Sequence, residues 1–368
     1  MPYLNTKLPD YPLTDDMWQS LRREERPIVV YGMGNGADKL FDRLSSLGVS
    51  VADVFASDGF VRGHSYRGMR VLSFSEIKAK YEDFCILLSF ASRLPEVIDM
   101  LSAIDKEYTL YVPDMPVAGV EEYFDLDFYN ANYEAISCAY ESLADEESKN
   151  CFASVVRFKL SGKMEYLEGA YSTKEELYSL INTHPVRNII DAGAYNGDTL
   201  REAVEYFGGL RRAVAIEPDP KNFKKLLKYT EGVEGVEVIP VNAAAYNEDG
   251  TGNMASSGNR NSTLAATASY EHSEGQVPLV RIDSLRETPD YIKYDVEGAE
   301  LEALEGSRET VERACPALLV SLYHRSKDIF FLINYIKERY PFYKLYLRRL
   351  RCLPAWEIDL IAIPEDSN

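Results

Sequence analysis

The amino-acid sequence predicts an α/β protein of two units, a smaller parallel-sheet unit followed by a larger one organised around a seven-stranded sheet. Three observations carry this expectation. Strand-like and helix-like segments alternate over residues 27–112, and alternate again from about residue 172. Each series holds a glycine-bearing turn directly after an apolar strand. The chain of 368 residues is long for a single core and suits two domains. Strands separated by helices imply βαβ units, whose crossovers make the sheet parallel.

In the first unit PIVVYG (27–32) is strand-like, and GADKLFDRLSSLG (36–48) is an amphipathic helix stopped by Gly48. VSVADVFASD (49–58), FCILLSF (84–90) and YTLYVP (108–113) are further strands, separated by the helical SFSEIKAKY (73–81) and LPEVIDMLSAI (94–104). Gly32, Gly34 and Ala37 follow the first strand as G-x-G-x-x-A, and Asp58 closes the next strand, where a ribose-binding acid would sit. The stretch resembles the small Rossmann-like domains attached to sugar-modifying enzymes. Two readings stay open: a site for a nucleotide or nucleotide-sugar, with NAD behind it, or a structural or oligomerising role.

Residues 107–148 hold eleven acidic residues and no Lys or Arg, interleaved with aromatics such as Tyr123, Phe124, Tyr129 and Tyr140. So many aromatics argue against disorder. They predict a helical connector with an acidic solvated face, or aromatic stacking on sugar rings. The expected organisation is an extension at 1–26, the first unit at 27–112, the connector at 113–171 and the second unit at 172–368.

The second unit restarts with a helical TKEELYSLI (173–181). NIID (188–191), RAVAIEP (212–218), VEVIPVNAA (236–244), VPLVRID (277–283), YIKYDVEG (291–298) and PALLVSLYH (316–324) are strand-like, with helical stretches between most of them. A Gly/Ser/Asn/Thr-rich insertion at 248–275 reads as turns or a flexible hairpin. FYKLYLRRL (342–350) and WEIDLIAIP (356–364) close the chain as an antiparallel pair.

Net charge is −19 and the pI about 4.8. Phosphate-rich partners need a basic footprint, so nucleic acid and anionic membrane surfaces are excluded as main partners. Small molecules and neutral glycans stay in play, and a homo-oligomer is left open. Five scattered cysteines without a C-x-x-C predict reduced thiols and a cytoplasmic protein. The polar, proline-bearing N-terminus does not read as a signal peptide. No apolar run approaches the ~18–20 residues that span a bilayer.

The chemistry concentrates at strand ends of the second unit. Asp191, Gly193, Ala194, Asn196, Gly197, Asp198 and Thr199 form an acidic, glycine-bearing turn between strand and helix. It lacks the Lys-Ser/Thr of a triphosphate loop and suits a cationic or hydroxyl-rich ligand. Glu217 ends the next strand, where one carboxylate can accept from two vicinal ribose hydroxyls; Pro218 and Pro220 fix it there. Asn242, Ala243 and Ala244 end the third strand, where small residues leave room for a planar base and Asn242 could hydrogen-bond its edge. Lys293, Asp295 and Glu297 alternate, which places them on one face of a strand opposite Ile292, Tyr294 and Val296. Three ionisable groups there are functional, or else an ion pair with Glu297 capping the next helix. His324 stands at the mouth of the same crevice as a neutral imidazole that could take a hydroxyl proton, or as a structural residue. Arg325 and Lys327 could bind an anionic group. A metal is open, because Asp283, Asp295, Glu297 and His324 are all ligand types, though their spacing demands none.

DAGAYNGDT, the acid in IEPDP, NAA, VRIDSL, YIKYDVEGAELEALEGS, LLVSLYHRSKD and the terminal LYLRR and IDLIAIP occur in the order seen in the FkbM family of S-adenosylmethionine-dependent methyltransferases. Residues 175–364 resemble that family, most specifically through K-x-D-V-E-G-A-E at 293–300 preceded by RID at 281–283. The resemblance implies a class I methyltransferase, Rossmann-like fold and methylation of hydroxyls of polyketides, sugars or glycans. It implies S-adenosylmethionine contacts from Asp191, Gly193, Glu217 and Asn242, and a reaction site of Asp295, Glu297 and His324 with Lys293 alongside. LRRL at 347–350 departs from the LRH-type motif of many members, which puts the substrate class in doubt. The competing reading is an NAD- or nucleotide-sugar-binding oxidoreductase, epimerase or regulator that uses the GMGNGA loop.

Overall fold

The computed structural model describes residues 15–61, 63–118, 122–255, 263–264 and 276–365. The first unit forms strands β1 (Ile28–Tyr31), β2 (Asp53–Ala56), β3 (Ser65–Tyr66), β4 (Met69–Ser73), β5 (Cys85–Leu88) and β6 (Thr109–Tyr111), in the order β3-β4-β2-β1-β5-β6. All neighbours are parallel except β3 and β4. Continuous burial of β1, β2 and β5 follows from their apolar sequences, as expected of strands covered on both faces. Ser73 starts the helix Phe74–Lys80 through a capping box with Glu76.

The second unit adds β7 (Asn188–Ala192), β8 (Arg212–Ile216), β9 (Glu237–Val241), β10 (Ala244–Ala245), β11 (Gly250–Ala255), β12 (Thr263–Leu264), β13 (Gln276–Val280), β14 (Tyr291–Tyr294), β15 (Ala317–Ser321), β16 (Tyr343–Arg349) and β17 (Ile358–Pro364). The expected seven-stranded sheet is present in the order β16-β17-β15-β14-β7-β8-β9. β17 runs antiparallel to both β15 and β16, and the other pairs are parallel. VPLVRID is not part of it. β13 joins β10, β11 and β12 in a separate four-stranded sheet, and Ile282–Leu285 turns into a 3₁₀ helix. An alternating strand pattern states that a segment pairs, not with which neighbour. Within the glycine-rich insertion, residues 256–262 and 265–275 lie outside the described residues, as do 1–14 of the extension.

The acidic connector contains the helices Leu126–Ala131, Tyr133–Glu141 and Glu146–Ser161. Tyr123, Phe124, Tyr129 and Tyr140 are buried in packing, which leaves them no free ring face for stacking on sugars. Ala144 N donates to the carbonyl of Leu345 at 2.8 Å and Ser148 Oγ accepts from Leu347 N at 2.9 Å, so the connector covers the outer edge of β16. One apolar cluster runs from Val29 and Phe55 through Phe152 and Phe158 to Ile292 and Leu360, joining the two units by a shared core. Among the described residues no helix is long and apolar enough to cross a membrane.

Candidate functional site

In the second sheet the strand order reverses between β7 and β14, and a cavity of about 760 Å³ opens at the carboxyl ends of those strands. Gly193, Tyr195, Asp198 and Thr199 from the turn after β7, and Glu217 after β8, form one part of its wall. The N–H groups of Gly193 and Ala194 both donate to the carbonyl of Ile216 at 2.9 Å, which folds the turn over the end of β8. Gly193 has φ +90°, and a Cβ there would lie 1.9 Å from the Asp295 carbonyl oxygen. Glycine is required because β7 and β14 close on each other at this point.

Glu217 is buried, and burial pushes its carboxyl up to about 7 against the pull of two backbone amides. One oxygen accepts from Tyr195 N at 2.9 Å and the other from Asp219 N at 2.8 Å. Each keeps a lone pair for a further donor. Asp191 lies beneath the turn, 1% exposed, with neither carboxylate oxygen hydrogen-bonded. Burial pushes it up to about 7 despite Lys293. An orphaned buried carboxyl beside a cavity suits a cationic ligand.

Asp191, Ala194, Asn196, Gly197, Asn242 and Ala243 stand outside the lining, Asp191 directly behind it. Gly197 starts the helix Asp198–Tyr206 in a left-handed conformation. Exposed Asn242 donates to the carbonyls of Glu217 and Pro218 at 2.8 and 3.2 Å. It pins the Glu217 loop, which corrects the expectation that it faces a base. Ala244 and Ala245 reach the cavity instead.

The opposite part of the cavity carries the ionisable cluster. Lys293 Nζ donates to Thr199 Oγ1 at 2.9 Å and to Asp295 Oδ2 at 3.0 Å. Burial works against its charge, but Asp295 and Asp191 more than offset it and hold Lys293 well above its ordinary value. Burial likewise opposes the Asp295 carboxylate, yet Lys293 and His324 bring it down to about 2. β14 ends at Tyr294, so strand alternation does not extend to Glu297 as expected. Glu297 sits at φ +54° in the loop beyond. No side chain caps the helix Glu300–Glu305; its first residue, Glu300, holds the preceding loop instead, its Oε1 accepting from Val296 N at 3.0 Å and Gly298 N at 3.2 Å.

His324 is fully buried behind this wall. Its Nδ1 lies 2.9 Å from Glu300 Oε1, and its Nε2 lies 3.4 Å from Glu297 Oε2 and 3.6 Å from Asp295 Oδ1. Burial disfavours its charge, but Glu300 and Glu297 outweigh burial and hold the ring well above its ordinary value. In place of the expected neutral base at the crevice mouth, His324 is an internal ring flanked by three carboxylates that favour its protonated form. Arg325 Nε is buried without a hydrogen-bond partner, and Lys327 lies over the Phe331 ring.

Residues that sequence reasoning passed over complete the cavity: Tyr323, Trp356, Glu357 and Asp359 from the second unit, and the loop 91–94 from the first. Ser92 and Leu353 exchange backbone hydrogen bonds at 2.8 and 3.0 Å, and Arg93 pairs with Glu357. Of the non-glycine residues with positive φ, Tyr195, Glu297 and Glu357 all line this cavity, and such strain concentrates at working sites. Asp359, an acid in the apolar run IDLIAIP, was visible as an anomaly. Arg93 carried no local signal.

The GMGNGA loop is accounted for by packing. A Cβ on Gly32 would lie 2.8 Å from Ser89 Oγ and the Phe90 ring, and one on Gly36 would lie 2.3 Å from the Ser89 carbonyl oxygen. Gly34 (φ +133°) precedes the helix Asn35–Ser46, on which Ala37 is buried. Asp58 accepts from Ser75 Oγ at 2.6 Å and Ser75 N at 3.2 Å, so the expected ribose acid holds the next helix instead. Asp283 is likewise committed to the backbone of Glu309 and Thr310. Among the described residues no group of three or more His, Cys, Asp or Glu could hold a metal ion.

Residues 191–342 match the family described as the Methyltransferase FkbM domain, which bears out the resemblance over most of the range expected. A crystal structure described as Methyltransferase FkbM from Methylobacillus flagellatus KT is similar over 92% of this chain and 90% of that chain, at 22% identity and a TM-score of 0.68. An rRNA methylase from Streptococcus thermophilus matches 52% of this chain and 93% of its own, at 11% identity and a TM-score of 0.34, too distant to bear on function. No curated protein matches the sequence. The fold is the class I methyltransferase, Rossmann-like α/β architecture.

Proposed function

We propose that the protein is an S-adenosylmethionine-dependent O-methyltransferase that acts in the cytoplasm on a hydroxyl of a sugar, glycan or related natural product. The observation that carries this is the pairing of Glu217 at the end of β8 with the unpartnered, buried Asp191 at the end of β7. The match of residues 191–342 to the FkbM domain supports it.

The bound cofactor would supply a methyl group on a sulfonium that is already activated. Glu217 accepts from the two ribose hydroxyls through its free lone pairs. Asp191 and Asp198 place negative charge near the cofactor's ammonium. Asp295, kept ionised by Lys293 and His324, faces the reacting end, where a fixed carboxylate stabilises positive charge without reorganisation. The first unit's loop 91–94 closes the cavity and limits water. Catalysis is then chiefly positioning of the acceptor oxygen in line with the methyl group.

Calorimetric titration with S-adenosylhomocysteine and with NAD tests the reading. Binding of S-adenosylhomocysteine, abolished by Glu217→Ala, is expected. Binding of NAD alone overturns it and favours the GMGNGA loop.

A further inference from the structure

Methylation of a hydroxyl leaves a proton that some group in the cavity must accept. The new oxygen–carbon bond uses an oxygen lone pair, the sulfur–carbon bond breaks with its electrons going to sulfur, and the O–H proton passes to a base. His324 is enclosed by carboxylates behind the wall, outside the cavity lining, and their charge favours its protonated form. Asp295 is filled by Lys293 Nζ on one oxygen and by the Tyr323 hydroxyl, 3.2 Å away, on the other. Glu297 faces His324, Glu357 pairs with Arg93, and Glu202 pairs with Lys174.

Asp359 differs from these. It lines the cavity at the start of β17 and is 7% exposed. Its Oδ1 accepts from Ser321 Oγ at 3.3 Å, and among the described residues it has no ion pair. In register it stands opposite Ser321, one step beyond the row that joins Val320 to Tyr294, and therefore level with Asp295. Two strand spacings, roughly 10 Å, separate the two backbone positions, room for an acceptor oxygen beside Asp359 and a methyl group beside Asp295.

Resting on the methyltransferase reading, we propose that Asp359 is the base that receives the acceptor's hydroxyl proton, held in place by Ser321. Burial, with Glu357 and Asp295 nearby and Lys293 opposing, pushes its carboxyl up to about 8. That affinity suits proton transfer near neutral pH, whereas Asp295 at about 2 is too weak a base. A cationic sulfonium in the cavity favours the ionised form of Asp359 and so readies it before the acceptor arrives.

The test needs no acceptor. Proton exchange on binding S-adenosylmethionine and S-adenosylhomocysteine is measured by calorimetry at pH 8 in buffers of different ionisation enthalpy. Asp191 and Glu217, at about 7, are then largely ionised already. On binding S-adenosylmethionine the wild type releases up to about half a proton more than Asp359→Asn, since a group at its midpoint is half protonated, whereas with the neutral thioether the two release alike. Asp359→Glu behaves as the wild type does. Equal release by wild type and Asp359→Asn, with both ligands bound, overturns the assignment of Asp359 alone. Failure of both ligands to bind the wild type overturns the methyltransferase reading with it.

Discussion

Exchange of His324 for Gln removes the imidazolium while keeping a polar side chain of similar reach. His324 is fully buried, 2.9 Å from Glu300, 3.4 Å from Glu297 and 3.6 Å from Asp295. At an effective dielectric of about 20, a charge pair at such distances attracts by roughly 5 kcal/mol, and desolvation returns most of it. Removing one partner is a different matter, because Glu300, 1% exposed, stays buried without its cation. Losses of about 3–5 kcal/mol are the rule for such changes.

The pH dependence has a definite sign. The folded-state value of His324 is raised above the ordinary 6.5, so its stabilisation is fully present below that value and is lost as pH rises through the folded one. Urea unfolding of wild type and His324→Gln at pH 6 and pH 9, followed by tryptophan fluorescence, measures this. Trp18 and Trp356 report on the two units. The midpoints should be well separated at pH 6, and the gap should narrow at pH 9. Coincident midpoints at pH 6, with a defect confined to turnover, would refute the buried-imidazolium account and restore His324 as a base.

Gly193→Ala should lower stability by about 2–3 kcal/mol and abolish S-adenosylhomocysteine binding, because its Cβ meets the Asp295 carbonyl at 1.9 Å. Gly208→Ala, which faces open space, is the matched control and should leave both unchanged. For Glu217, raised to about 7, the form that accepts from ribose is the carboxylate, so affinity for S-adenosylhomocysteine should fall as pH drops through 7. Glu217→Gln should bind roughly tenfold to a hundredfold more weakly and show a flatter pH profile by calorimetry. Asp58→Ala should leave that affinity within about twofold of wild type, as an acid that serves only the Ser75 turn would. A larger drop would move the cofactor to the first unit.

Much of the fold was legible because strand and helix periodicities are local. Asp191 and Glu217 could be placed at adjacent strand ends from sequence alone, since each apolar run ends at its acid and β7 pairs with β8 in parallel. Asn242 stood at the third strand end as expected, but whether its amide turned toward a ligand or toward the Glu217 carbonyl was a matter of backbone path. The departure of VPLVRID from the main sheet had the same origin, because a strand pattern does not name its partner.

By itself the sequence determined two parallel-sheet units and the chemical inventory of a cavity rich in carboxylates. Alternation and residue type need no knowledge of distant neighbours. Only the tertiary structure decided how those charges are used. The proton affinity of His324 is raised because Glu297 and Glu300 converge on it in a buried site. Asp359 comes level with Asp295 only through strand register, and Arg93 reaches Glu357 across 264 positions of chain. Proton affinity depends on distance and burial, and both are set by contacts between segments remote in sequence.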